Sequence, residues 1–159
     1  MTSLIRAFSR RSALGLFAGL VVSHATPIRA EAAPALEVFK DPNCGCCGGW
    51  IAHLRHHGFI ARATDTSDMT AVKARLGIPD ALASCHTAQL GNYVIEGHVP
   101  AHAIKRLHAE KPDALGLAVP GMPIGSPGME GGKPEAYDVI LFGKGGQSRF
   151  GRYVGDRPV

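Results

Sequence analysis

The residues of this chain best suited to chemistry are its four cysteines. Cys44, Cys46 and Cys47 fall within four consecutive positions, and Cys85 lies far along the chain. Cys44 and Cys47 make a C-x-x-C pair, which Cys46 turns into C-x-C-C. At the start of a helix such thiols meet unpaired backbone N–H groups and the positive end of the helix dipole, which favours the thiolate. Thiolate is the form that attacks disulfides and the form that binds metal, so both chemistries are prepared. Three features favour a soft metal. A two-electron dithiol needs only two sulfurs, and a third invites scrambled pairing, whereas thiolates can bridge several soft ions. Ser84-Cys85-His86-Thr87, a segment without proline, brings a fourth sulfur and an imidazole to the entry of a predicted strand. Met122 and Met129 sit in Pro120-Gly121-Met122-Pro123 and Pro127-Gly128-Met129-Glu130. A thioether on a stiff loop suits Cu(I) and serves Zn(II) or harder ions poorly.

Other readings of the same residues stand beside this one. An even cysteine count in an oxidising compartment is also what two structural disulfides would need. Adjacent Cys46 and Cys47 do not readily pair with each other, and Cys85 alone lies outside the cluster. Loop methionines also serve as gap-filling core residues; Met69, at helical spacing with Val72 and Leu76, is assigned to the core. Among the histidines, His86 adjoins Cys85 and His98 opens Gly97-His98-Val99-Pro100, so both are candidate ligands. His53, His56, His57 and His108 fall on helix positions expected to face water, although His53 and His57, at i and i+4, could chelate an ion. The carboxylates are scattered. No serine sits in an elbow motif, and Gly48-Gly49 lacks the Lys-Ser/Thr of a phosphate-binding loop.

The elements that must position these groups follow from periodicity. Leu36 to Lys40 alternates as a half-buried strand, and Asp41-Pro42-Asn43 is a turn. Trp50, Ile51 and Leu54 share one face of a helix that follows the cysteines and stops at Gly58. Phe59 to Ala63 is a second strand. Thr64 to Asp68 offers N-caps to a helix carrying Met69, Val72 and Leu76 and ending at Gly77 and Pro79. Gly91-Asn92 separates strands 87–90 and 93–96 as a hairpin turn. Ala101 to Lys111 is a third helix. Residues 112–136 form a long Gly/Pro-rich segment, Tyr137 to Phe142 is a strand, and Gly143 to Gly146 with Phe150 to Val154 suggests a weaker last hairpin. The order is β-α-β-α-β-β-α, an α/β plan. With cysteines in the first β-to-α connection, it is the plan of the thioredoxin-like fold, here with a Gly/Pro-rich C-terminal loop and an extra hairpin.

The chain has 159 residues, enough for one domain. Gly and Pro supply 31 of them, which points to long structured loops rather than a helical bundle. Residues 1–32 read as an export signal. Arg6, Arg10 and Arg11 precede the apolar run Ala13 to Val22, which is too short for the ~20 residues of a membrane span. Small-residue cleavage patterns follow, with cutting favoured after Ala30 or Ala32. Ser9 to Leu14 partly matches a twin-arginine signal, and general secretory export remains open. Removing 1–32 takes four Arg and Glu31, leaving 13 basic and 12 acidic side chains in a single domain, 33–159, so the net charge of +4 falls to +1. No basic run survives, which leaves nucleic-acid binding without support. No stable membrane insertion is expected after the signal is removed.

The strings Asp41 to Trp50, Ala83 to Ala88, Val94 to Ala101 and Gly116 to Glu130 together resemble an exported bacterial family of predicted metal-binding domains. It includes the CopG-type copper resistance proteins. The resemblance runs over roughly residues 36–154. It implies a thioredoxin-like domain that holds Cu(I), several ions per chain, in a cysteine-bridged cluster on Cys44, Cys46, Cys47 and Cys85. Met122, then His98, Met129 and His86, would complete the shell. The expectation is thus a periplasmic copper-binding protein of copper resistance, whose partners are copper ions and other periplasmic copper-handling proteins. The alternative is a thiol-disulfide or copper oxidoreductase using Cys44 and Cys47, and a third reading is a disulfide-stapled interaction domain.

Overall fold

Leu36 and Val38 alternate with exposed positions along the first strand, β1 (Ala35–Lys40), which seeds the sheet. A computed structural model describes residues 33–159; the expected export segment, 1–32, lies outside them. After β1 come α1 (Gly45–His56), β2 (Ile60–Asp65), α2 (Met69–Arg75), a 3-10 turn at Asp80–Leu82, β3 (His86–Leu90), β4 (Tyr93–Glu96) and α3 (Ala101–Glu110). This is the β-α-β-α-β-β-α order expected from periodicity. Then follow β5 (Gly116–Ala118), β6 (Ala136–Gly143), β7 (Gly146–Val154) and β8 (Arg157–Pro158). The fold is mixed α/β, and the eight strands among the described residues form one open sheet of order β2-β1-β3-β4-β5-β6-β7-β8.

Period-two alternation divides the buried side chains between the two sheet faces. Ile95, Leu117 and Val139 join Trp50, Ile51 and Leu54 of α1 and Ile104 and Leu107 of α3 in the main core. Their neighbours Val94, Ala118 and Phe142 face the other way, onto Ile78 and Leu82. Trp50 is fully buried, and its Nε1–H donates to Val99 O at 2.8 Å, which ties α1 to the entry of α3.

Three local expectations need correction. The segment 112–136 is not strandless, since β5 pairs in parallel with β4 and antiparallel with β6. Three residues, Gly-Leu-Ala, carry no readable alternation. Only the sheet centre makes them a strand, and a Cβ on Gly116 would stand 1.7 Å from Val94 O. Met69 is half-buried rather than core; of its helical stripe only Val72 is buried, because α2 has seven residues and few contacts to give. The last hairpin is also not weak. β6 and β7 pair over their whole length, with one irregularity at Val139/Ile140.

His53 does not simply face water. Its Nε2 accepts the Ala101 N–H at 3.1 Å, capping the first turn of α3 from α1. Burial, then the neighbouring His57, lowers its pKa to about 4. A histidine kept neutral in the fold is protonated earlier in the unfolded chain. Its contribution is therefore present above pH ~6.5 and lost as pH falls toward 4.

Glu96 ends β4 with its side chain fully buried, a placement no alternation pattern signals. Its Oε1 accepts the Ser84 N–H at 2.6 Å and its Oε2 accepts the Thr87 hydroxyl at 2.6 Å. Lys73 of α2 pairs with Oε1 and donates to Thr87 Oγ1 at 2.9 Å. One carboxylate thus brackets the Cys85-His86 dipeptide. Because deletion would strand the largely buried Lys73 charge, Glu96→Ala should destabilise metal-free protein by about 3 kcal/mol. Urea unfolding would show this as a lower midpoint at an unchanged slope. Wild-type stability should fall on acidification from pH 6.5 toward 4, and His53→Gln should flatten part of that slope in the same assay.

Candidate metal centre

The helix α1 begins at its N-cap, Cys44, so Cys46 and Cys47 lie in the first turn. That turn has no acidic residue, and Cys44 makes no side-chain cap. The first backbone N–H groups are therefore free to favour negative charge on nearby sulfur. The approach of Cys85 comes from strand pairing. Lys40 of β1 stands opposite His86 of β3, which places Cys85 beside the turn that leads from β1 into the cysteine loop.

All four sulfurs fall in one group whose atoms lie within 4.8 Å of one another. Cys44 and Cys47 are joined as a disulfide with Cα atoms 5.5 Å apart, while Cys46 and Cys85 are free thiols. Cys46 Sγ stands 3.5 Å from Cys44 Sγ and 3.7 Å from Cys85 Sγ; Cys47 Sγ is also 3.7 Å from Cys85 Sγ. Two structural disulfides are not what the chain forms. Thiolates sharing a tetrahedral metal at about 2.3 Å stand about 3.8 Å apart. With the Cys44–Cys47 bond reduced, the four sulfurs make a donor set suited to a thiophilic metal.

Two imidazoles close on the same sulfur. His98 Nε2 is 3.1 Å and His86 Nδ1 3.2 Å from Cys85 Sγ, and both rings are fully buried. His98 Nδ1–H donates to Pro127 O at 2.8 Å, so its Nε2 carries the free lone pair, the arrangement typical of a ligating histidine. His86 Nε2 has no hydrogen-bond partner. A proton on Nδ1, donated to Cys85, leaves only a lone pair unpaired there, which is tolerated better than a buried orphan N–H. His98 is therefore the better prepared ligand, and His86 is suited to hold the sulfur. Desolvation lowers the pKa of both rings, for His86 with help from His98, so both stay neutral donors. Desolvation, then the Cys46 contact, pushes the Cys85 thiol up to about 12. Metal binding there must release a proton.

The Gly/Pro segment closes over this cluster at two points. Gly121 N–H bonds Ala83 O at 3.4 Å and Ser84 Oγ–H donates to Gly121 O, which sets Met122 beside the chain entering Cys85. Gly128 lies against the first turns of α1, where a Cβ would stand 2.6 Å from Cys46 O and Trp50 N, and Met129 follows it. Met122 is 52% exposed and Met129 is half-buried, so neither is a core gap-filler. The backbone ties bring both loops to the cysteine segments; no thioether contact with sulfur defines a ligand.

Sequence reasoning missed Glu96, Lys73 and the Pro127 carbonyl, which have no motif and act through distant partners. Asp156 joins His53 and His57 in a separate group within 4.8 Å. There His53 Nε2 is committed to Ala101, so the neutral ring carries its proton on Nδ1 and offers no free lone pair.

A family described as a protein of unknown function, DUF411, matches residues 82–129. No curated protein matches the chain. Two solved structures do, titled copper resistance protein CopG, form 1 and form 2. Each is 46% identical and covers 76% of this chain and 98% of its own, with TM-scores of 0.72 and 0.73. Identity at that level, over nearly the whole of the solved chains and the region that carries all four cysteines, leaves one conclusion. The chain belongs to the family of the copper resistance protein CopG.

Proposed function

We propose that this chain is an exported, periplasmic Cu(I)-binding protein of thioredoxin-like fold that contributes to copper resistance. The observation that carries the reading is the convergence of four cysteine sulfurs into one group. Soft thiolates prefer Cu(I), and several sulfurs on one small centre can bridge more than one ion. Cys44, Cys46, Cys47 and Cys85 are the primary ligands, His98 Nε2 the leading auxiliary, and Met122, Met129 and His86 complete the surroundings. The strand order β2-β1-β3-β4, with Cys44, Cys46 and Cys47 at the start of α1, supports the thioredoxin-like classification. The cargo is copper, received from or passed to other periplasmic copper-handling proteins. Held by thiolates, Cu(I) is kept from uncontrolled redox cycling.

A thiol-disulfide or copper oxidoreductase role is the second reading. It is favoured by the Cys44–Cys47 bond at the start of a helix. It requires these two sulfurs alone, with Cys46 dispensable.

Anaerobic Cu(I) titration of reduced mature protein should bind more than one copper per chain, and Cys85→Ser or Cys46→Ser should weaken binding at least ~10-fold. Absence of Cu(I) uptake would overturn the copper reading. Reduction of an insulin disulfide at equal rates by wild type and Cys46→Ser, with no effect of Cys46→Ser on copper, would favour the oxidoreductase.

A further inference from the structure

The two groups of candidate ligands overlap at Cys85, and they respond differently to oxidation. One is the four cysteines; the other is Cys85 with His86 and His98. With Cys44 and Cys47 bonded to each other, Cys46 Sγ and Cys85 Sγ remain free at 3.7 Å, and His98 Nε2 remains 3.1 Å from Cys85. A disulfide sulfur is a poor metal donor, so oxidation removes half of the sulfur ligands. It leaves two thiols and one imidazole whose tautomer is already set by Pro127 O.

We propose that formation of the Cys44–Cys47 disulfide unloads part of the copper and leaves one Cu(I) held by Cys46 and Cys85, beside His98. The proposal rests on the copper-binding reading and adds to it a redox-controlled change of stoichiometry. The oxidant is a disulfide, from a small molecule or a partner protein. Cys44 is half-buried whereas Cys47 is fully buried, so of that pair Cys44 is the sulfur an oxidant reaches. Its thiolate attacks the disulfide, the oxidant's S–S bond breaks, and one thiolate leaves. Cys47 then attacks Cys44 in the mixed disulfide, the Cys44–Cys47 bond forms, and the second thiolate leaves. Two electrons pass from the pair to the oxidant, and copper stays Cu(I) throughout. The ions that depended on Cys44 and Cys47 lose those ligands. The ion on Cys46 and Cys85 keeps its two sulfurs, 3.7 Å apart, with His98 Nε2 3.1 Å from Cys85 Sγ.

The experiment loads reduced protein with Cu(I) anaerobically, oxidises it with a small-molecule disulfide, desalts it, and counts copper and free thiols per chain. Peptide mapping identifies the disulfide formed. Wild type should lose copper and keep about one ion, with Cys44–Cys47 as the bond and two cysteines unoxidised. The retained ion should be held at least ~10-fold more weakly in His98→Ala and in Cys46→Ser by competition with a Cu(I) chelator. Cys46 is half-buried, so its serine variant keeps the test valid should His98→Ala fail to fold. Complete loss of copper on Cys44–Cys47 formation would overturn the proposal. So would unchanged copper content, or retention indifferent to both substitutions. If reduced wild type takes up no Cu(I), the copper-binding reading itself falls, and this proposal with it.

Discussion

The antiparallel pairing of β1 with β3 is the constraint on which the site depends. It sets Lys40 opposite His86 and so stations Cys85 against the turn that carries the other three cysteines. A slip of one residue would turn the side chains of β3 to the opposite face of the sheet and shift Cys85, which directly precedes the strand. Register is held from both sides. Val38 and Ala88 are buried at a paired position, and Glu96 grips Ser84 and Thr87 around the Cys85-His86 dipeptide.

Burying a carboxylate and much of a lysine to hold two residues is a costly way to stabilise a sheet, because desolvation works against both charges. Desolvation indeed raises the Glu96 pKa, while the Lys73 contact and the hydrogen bonds from Thr87 and Ser84 oppose it. The arrangement makes sense as orientation of the neighbouring sulfur. It sits alongside the second orienting contact, Pro127 O on His98, which comes from the Gly/Pro loop. The two contacts reach the centre from different parts of the chain. Order at the metal centre is therefore a property of the complete domain rather than of the C-x-C-C loop.

Much of the fold was legible locally. The turn at Gly91-Asn92, the Asp68 N-cap and the three helices follow from turn chemistry, capping and apolar spacing, all of which act within a few residues. β5 was not legible, because three small or apolar residues have no period and become a strand only between β4 and β6. Nor was the capping role of His53, whose i, i+4 relation to His57 suggested chelation while its partner is the first turn of a distant helix. At the site the four cysteines and two histidines could be named from residue type and spacing. Their ranking could not, since it rests on which ring nitrogen already has a partner.

Cysteine is rare enough that three within four positions carry meaning without a structure, and sulfur's softness then points to a class of metal. That much the amino-acid order determined by itself, together with the α/β order of elements. Tertiary structure decided which sulfurs meet, which imidazole offers a lone pair, and which loops close over them. Distances between Cys46, Cys85 and His98 arise from sheet register, a buried carboxylate and a carbonyl on a remote loop. None of these leaves a periodic or compositional trace, because each depends on contacts between residues far apart in the chain.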